Sequence, residues 1–249
     1  TIYSMDFKRI VKEQRDEIER RMEEERIIKR EICERGKKHL RYPNVLAILG
    51  VRRCGKSVLS FQLFHGKKFG YVDLSDERLE GISIKDMEKV LLSLYSLYGK
   101  GLENIVLDEV HEVEKWEKFV RRLRTRHRVI VTGSNSKMLS GELSTYLTGR
   151  HLKLVLFPFS FREVLKYRGK ELGDVLTTRE RSEIINVLED YMNLGGFPER
   201  FKFGRDIVKQ IYEDIIVKDV VFRANIVKRE NIRKNHRNGN ENSCCQKPH

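Results

Sequence analysis

Gly50-Val51-Arg52-Arg53-Cys54-Gly55-Lys56-Ser57 stands between the apolar run Asn44-Val45-Leu46-Ala47-Ile48-Leu49 and a second apolar series, Val58, Leu59, Phe61, Leu63 and Phe64. The eight residues fit G-x-x-x-x-G-K-S, and their flanks are those of a buried strand feeding a helix that stops at Gly66. Glycines let such a loop curl so that several N–H groups and the helix N-terminus converge on one phosphate. Gly50, Val51, Arg52, Arg53, Cys54, Gly55, Lys56, Ser57 and Val58 are therefore candidate nucleotide contacts. Lys56 would reach the β- and γ-phosphates, and Ser57 would give an oxygen to Mg²⁺. The competing reading is an ordinary glycine turn, which does not require this strand–loop–helix setting.

Two further strands complete the candidate site. Ile105-Val106-Leu107-Asp108-Glu109 is an apolar run ending in two acids, which puts Asp108 beside the loop to hold Mg²⁺ through water. Glu109 is then placed to polarise an attacking water. Val129-Ile130-Val131-Thr132-Gly133-Ser134-Asn135 ends in small polar residues, of which Ser134 or Asn135 could touch the γ-phosphate or the water.

Strands and helices alternate from residue 41 to 160. Strands are expected over Asn44–Leu49, Phe69–Leu74, Asn104–Leu107, Val129–Thr132 and His151–Phe157. Helices are expected after Ser57 and over Ile84–Tyr98, Trp116–Leu123 and Met138–Leu147, with Ser83 and Asp86 at capping-box spacing. This is an α/β pattern: a parallel five-stranded sheet with helices on both faces. Residues 161–225 read as helices only, a small all-helical lid including Asp206–Arg223, with capping-box spacing at Ser160/Glu163 and Thr177/Glu180. Residues 1–40 are dense in Glu, Lys and Arg, and 6–35 read as one long exposed helix on a thin stripe of Ile18, Met22, Ile27, Ile28 and Ile32. Residues 226–249 read as an irregular tail. Shifted by one base, codons compatible with Asn235–His249 permit an amphipathic helix, so a frameshift stands beside ordinary disorder.

Lys and Arg number 50 against 37 Asp and Glu, a surplus of 13 concentrated in the first helix, after residue 110 and in the tail. A nucleotide alone needs far less, so an anionic macromolecule competes with a merely solvated or heat-adapted surface. Arg121, Arg122, Arg124, Arg126, His127 and Arg128 are the densest basic stretch, at a helix-to-strand junction away from the nucleotide. DNA phosphate contact and a solvated helix end both fit it, and no interleaved aromatics support a stacking platform. Cys33, Cys54, Cys244 and Cys245 make neither a disulfide framework nor a zinc pattern. With no membrane-length apolar run, a cytoplasmic protein without a membrane partner is expected.

The loop, L-D-E-V-H-E-V-E-K-W-E-K-F-V-R-R-L from Leu107, T-G-S-N-S-K-M-L-S from Thr132, T-G-R ahead of F-P-F-S-F-R-E-V-L, and Y-M-N-L-G-G-F-P-E from Tyr191 come in one order. Over residues 10–226 this resembles the prokaryotic, especially archaeal, AAA+-type ATPases whose P-loop domain precedes a C-terminal domain of unknown function. The resemblance implies an AAA+-like core, a helical lid, binding of ATP/ADP with Mg²⁺ and hydrolysis of ATP. In full-length members a winged-helix-like end follows, and with it a DNA or protein partner. It also places Arg150 where such proteins often carry an arginine finger, which would work in trans in a homo-oligomer. An Arg that favours a helix C-terminus is the alternative. His111 stands where many relatives have Gln. No N/T-K-x-D follows the Asp108 strand as a GTPase would need, and Leu139-Ser140-Gly141-Glu142 is neither placed nor spelled as an ABC signature. A nucleotide-gated binding module with little turnover remains as the non-enzymatic reading. Trp116 is expected in the core or at a domain contact.

Overall fold

The computed structural model describes residues 6–41, 45–133, 151–171, 173 and 175–216. Ser134, Asn135, Arg150, the helix expected over Met138–Leu147 and the tail lie outside the described residues. Five strands, β1 (Val45–Leu49), β2 (Phe69–Asp73), β3 (Asn104–Asp108), β4 (Arg128–Gly133) and β5 (His151–Val155), form one sheet in the order β2-β3-β4-β1-β5. Every pairing is parallel. The α/β expectation therefore holds in class, strand number and direction.

The strands alternate their cargo between two cores, as a period of two dictates. Val45, Ala47 and Leu49 face one side, with Ile105, Leu107, Val129 and Val131. Packed there are α1 (Phe7–Glu24), α4 (Met87–Tyr98) and α5 (Trp116–Leu123), whose Trp116 is buried as expected. Leu46 and Ile48 face the other side with Val106 and Ile130, under α2 (Cys33–His39) and α3 (Lys56–Leu63). Because β1 is buried at all five positions, it reads in sequence as an unbroken apolar run.

The first helix differs from expectation. It stops at Glu24, and Glu25 turns to extended backbone. It also packs more deeply than a thin stripe: Phe7, Ile10, Val11, Gln14 and Ile18 are buried at helical spacing. Residues 25–32 form a strap whose backbone is satisfied by distant side chains instead of by helix bonds. Gln62 donates to the Ile28 carbonyl at 2.7 Å and accepts from the Arg30 N–H at 3.1 Å, while the Glu31 N–H donates to Glu163 at 2.8 Å. α4 likewise begins at Met87, not Ile84, because Asp86 accepts from the Ser83 hydroxyl at 2.6 Å and closes a turn there.

Beyond β5 the described chain is helical: α6 (Phe161–Tyr167), α7 (Thr178–Leu194), α8 (Arg200–Phe203) and α9 (Asp206–Ile215). Both expected capping boxes form, at Ser160/Glu163 and Thr177/Glu180.

Candidate nucleotide-binding site

The loop between β1 and α3 is shaped by its glycines. A Cβ on Gly50 would meet the Leu156 carbonyl oxygen at 2.5 Å and the Cys54 sulfur at 2.7 Å, so only glycine lets the chain pass. Gly55, at φ 94°, takes the left-handed turn that starts α3. Arg53 is also left-handed, at φ 63°, an unusual state for a residue with a side chain. Cys54 is fully buried and its thiol is pushed up by that burial, so it packs and does not react.

Lys56 begins α3 with only 5% of its surface exposed. Its ammonium has weak contacts to the carbonyls of Gly50 and Val51, each at 3.4 Å, and an ion pair to Glu109 at 3.3 Å. Asp108 ends β3 almost wholly buried, and both carboxylate oxygens are held. Tyr71 donates its hydroxyl to one at 2.8 Å, and Thr132 donates to the other. Thr132 also accepts the Glu109 N–H at 3.0 Å, which fixes Glu109 in a left-handed conformation at φ 47°. Burial raises the Glu109 carboxyl, opposed by the Lys56 charge and reinforced by Asp108. His111 lies 3.3 Å from Glu109 and 2.9 Å from Glu112. Burial and the Asp108 charge push the Tyr71 hydroxyl well above its usual range.

An open cleft of about 990 Å³ joins the loop, Glu109, the strap at Arg26–Ile28 and the helices that follow β5 through Pro198, Glu199 and Phe203. A family profile described as an AAA domain matches residues 42–165, the span that carries β1 through β5, most of α6 and the whole of this loop. This segment is an AAA domain. An uncharacterized protein of Methanocaldococcus jannaschii is 36% identical over 194 residues, which are 74% of this chain and 44% of that protein. An uncharacterized protein of Haemophilus influenzae is 31% identical over 196 residues, 73% of this chain and 47% of that protein. The chain thus spans less than half the length of the curated relatives it matches. A Walker-type ATPase of Pyrococcus abyssi is similar at 17% identity with a TM-score of 0.49, covering 84% of this chain and 76% of its own.

The residues of this AAA domain suit a nucleotide. The buried Lys56 ammonium, whose backbone contacts are long, holds Glu109 as its anion and leaves room for phosphate oxygens to take that place. Mg²⁺ fits the donor set as well. Ser57 offers a hydroxyl at the start of α3, and each Asp108 oxygen keeps a lone pair beyond its one hydrogen bond, enough to hold the ion through water. Among the described residues no group of three His, Cys, Asp or Glu could hold a metal ion by itself.

The structure brings Gly50 through Val58, Asp108 and Glu109 together as the sequence predicts. Several partners escaped that reading. Arg30, 5% exposed, donates to the Cys54 carbonyl at 3.0 Å, the Phe157 carbonyl at 2.6 Å and Glu163 at 2.9 Å, pinning the loop to the turn after β5 and to α6. Arg53 donates to Glu199 at 2.6 Å and Asp214 at 3.0 Å, tying the loop to the helices. Glu199 belongs to the quoted G-G-F-P-E motif, a signal that could have pointed to it. Tyr71 and Thr132 gave none, because a strand uses both residue types freely. Among the described residues no helix is long and apolar enough to cross a membrane.

Proposed function

We propose that the AAA domain binds ATP with Mg²⁺ and hydrolyses it to ADP and phosphate in the cytoplasm, to act on a macromolecular partner. The observation that carries this reading is the pair formed by Lys56 and Glu109, a buried ammonium 3.3 Å from a carboxylate that burial has made more basic. Phosphate oxygens offer Lys56 a better partner than Glu109 does, since they bring more charge to the same place. Lys56 then turns to the β- and γ-phosphates, and Glu109 is released toward the water that attacks the γ-phosphorus. Glu109 takes the proton as the new P–O bond forms, and the bond to the ADP oxygen breaks. Mg²⁺, when bound by Ser57 and, through water, Asp108, neutralises charge on the phosphates. Tyr71 and Thr132 keep Asp108 aimed, and Thr132 fixes the backbone that orients Glu109. Ser134 or Asn135 would touch the γ-phosphate or the water, and Arg150 would serve a neighbouring subunit's nucleotide.

A second reading has its own support. Arg53 joins the phosphate loop directly to Glu199 and Asp214, so nucleotide could act by moving the helices with little turnover. Titration calorimetry and phosphate release separate the two. Lys56→Ala should lose affinity by about 10–100-fold through a missing charged contact. Glu109→Gln should bind ATP as tightly as the wild type and hydrolyse it about 10²–10⁴-fold more slowly. Wild-type protein that binds ATP and releases no phosphate would leave the gated module; unchanged binding in Lys56→Ala would sink both.

A further inference from the structure

In a parallel sheet every strand starts on the same rim, and nucleotide binds on the opposite one, where the strands end. The starting rim is lined with cations. Lys37, Lys38 and Arg41 precede β1, and all three are exposed. His65, Lys67 and Lys68 precede β2 and are exposed as well. Lys100 precedes β3, Arg126 precedes β4 and Arg128 opens it. Against these eight lysines and arginines, the residues just ahead of the strands hold one acid, Glu103, which pairs with Arg128 at 2.8 Å. The loops meet in space: Lys37, Arg41, His65, Lys67 and Arg128 surround a single hollow of about 300 Å³.

Helix dipoles explain part of this charge and no more. Lys37 and Lys38 lie in the last turn of α2, where cations are favoured, but that effect fades within a turn. Lys67, Lys68, Lys100, Arg126 and Arg128 stand beyond it.

The geometry points to this rim as a docking surface for the phosphate backbone of a nucleic acid duplex. The argument for a polyanion is the local charge; the argument for a duplex over an acidic protein is what the rim lacks. Protein interfaces are centred on apolar and aromatic anchors. Every exposed large hydrophobic among the described residues lies elsewhere, on α4, β5, the 157 and 175 turns, α7, α8 and α9. Backbone contact to a duplex needs only cations and polar groups, and it reads no base. Single strands would call for exposed aromatic faces, and the described loops of the rim have none. From β2 to β1 is three strand spacings, about 14 Å, close to the roughly 12 Å width of a major groove, so phosphates on both its edges are in reach. The hollow would take one of those phosphates.

The test is fluorescence anisotropy of the full chain with a labelled 20-base-pair DNA duplex of mixed sequence, titrated between 50 and 200 mM KCl. Four contacted phosphates predict an affinity loss of about 100-fold across that range, with a logarithmic slope near −0.9 per contact. The variant Lys37→Glu/Arg41→Glu/Lys67→Glu should flatten the slope by about three contacts and weaken binding at least about tenfold at 50 mM, with ATP affinity unchanged as its folding control. Arg179→Glu, on α7 and outside the loops that precede the strands, should leave the slope as it was. The proposal is overturned by absence of binding at 50 mM, by a slope the triple variant does not change, or by a single strand binding as tightly. Displacement of the duplex by an equal charge of polyglutamate would also overturn it, in favour of an acidic protein.

Discussion

Asp73 lies directly across the β2–β3 ladder from Asp108, two carboxylates at the ends of neighbouring strands. Burial first and the Asp108 charge second raise its pKa to about 6, against hydrogen bonds from Ser75 that favour the ionised form. The folded protein therefore holds a proton on Asp73 between about pH 4 and 6 that the unfolded chain has released, so this residue costs stability as pH rises through that window. Asp73→Asn removes the cost and keeps an oxygen for Ser75. Urea denaturation should find the variant more stable by about 2–3 kcal/mol at pH 7.5 and little changed at pH 3.5. Equal effects at both pH values would mean that Asp73 keeps an ordinary pKa. The destabilising charge is tolerated because Asp108, which creates much of it, is wanted beside the phosphate loop.

The strap at residues 25–32 is the element that decides how firmly the loop is held. Arg30 and Glu163 form an ion pair that is 5% and 3% exposed, so removing either partner strands a buried charge. Arg30→Ala should lower unfolding free energy by about 3–5 kcal/mol, whereas Arg30→Ala/Glu163→Ala should lose less than the sum of the two single changes. Additive losses would show that the two residues act independently. This strap was invisible in the sequence. Glu, Arg and Lys are good helix formers, so residues 6–35 read as one helix, and nothing local says that Gln62 and Glu163 will claim the backbone of Ile28, Arg30 and Glu31. Strands and loop were legible for the opposite reason. β1 and β3 are buried at every position and β4 at all but Arg128, each an apolar run with a chemical signature at one end, and glycine at Gly50 and Gly55 meets a need visible within eight residues. Asp108 and Glu109 could be read because they break an apolar run. Tyr71 and Thr132, which hold Asp108 in place, could not, because they continue one.

At the scale of the whole molecule, the loop, the strap and the C-terminal helices close on one another through a few side chains. Arg53 is about one third exposed, so its pairs with Glu199 and Asp214 contribute at most about 1 kcal/mol to stability. Their effect is on position. Arg53→Ala should leave the melting temperature within a few degrees of wild type while amide exchange rises across residues 196–215. Unchanged exchange there would mean that other contacts seat the helices. Gly196 supplies one of these, since a Cβ on it would lie 2.1 Å from the Phe159 carbonyl oxygen. The Arg30 clamp also sets an order of events during synthesis. Its carbonyl partner in the loop, Cys54, is 24 residues downstream, but Glu163 is 133 residues downstream. At about 5–20 residues per second, a ribosome adds Glu163 roughly 7–27 seconds after Arg30. For most of that interval the phosphate loop has been made while the Arg30 guanidinium has no carboxylate, so the clamp closes only after α6 has been made.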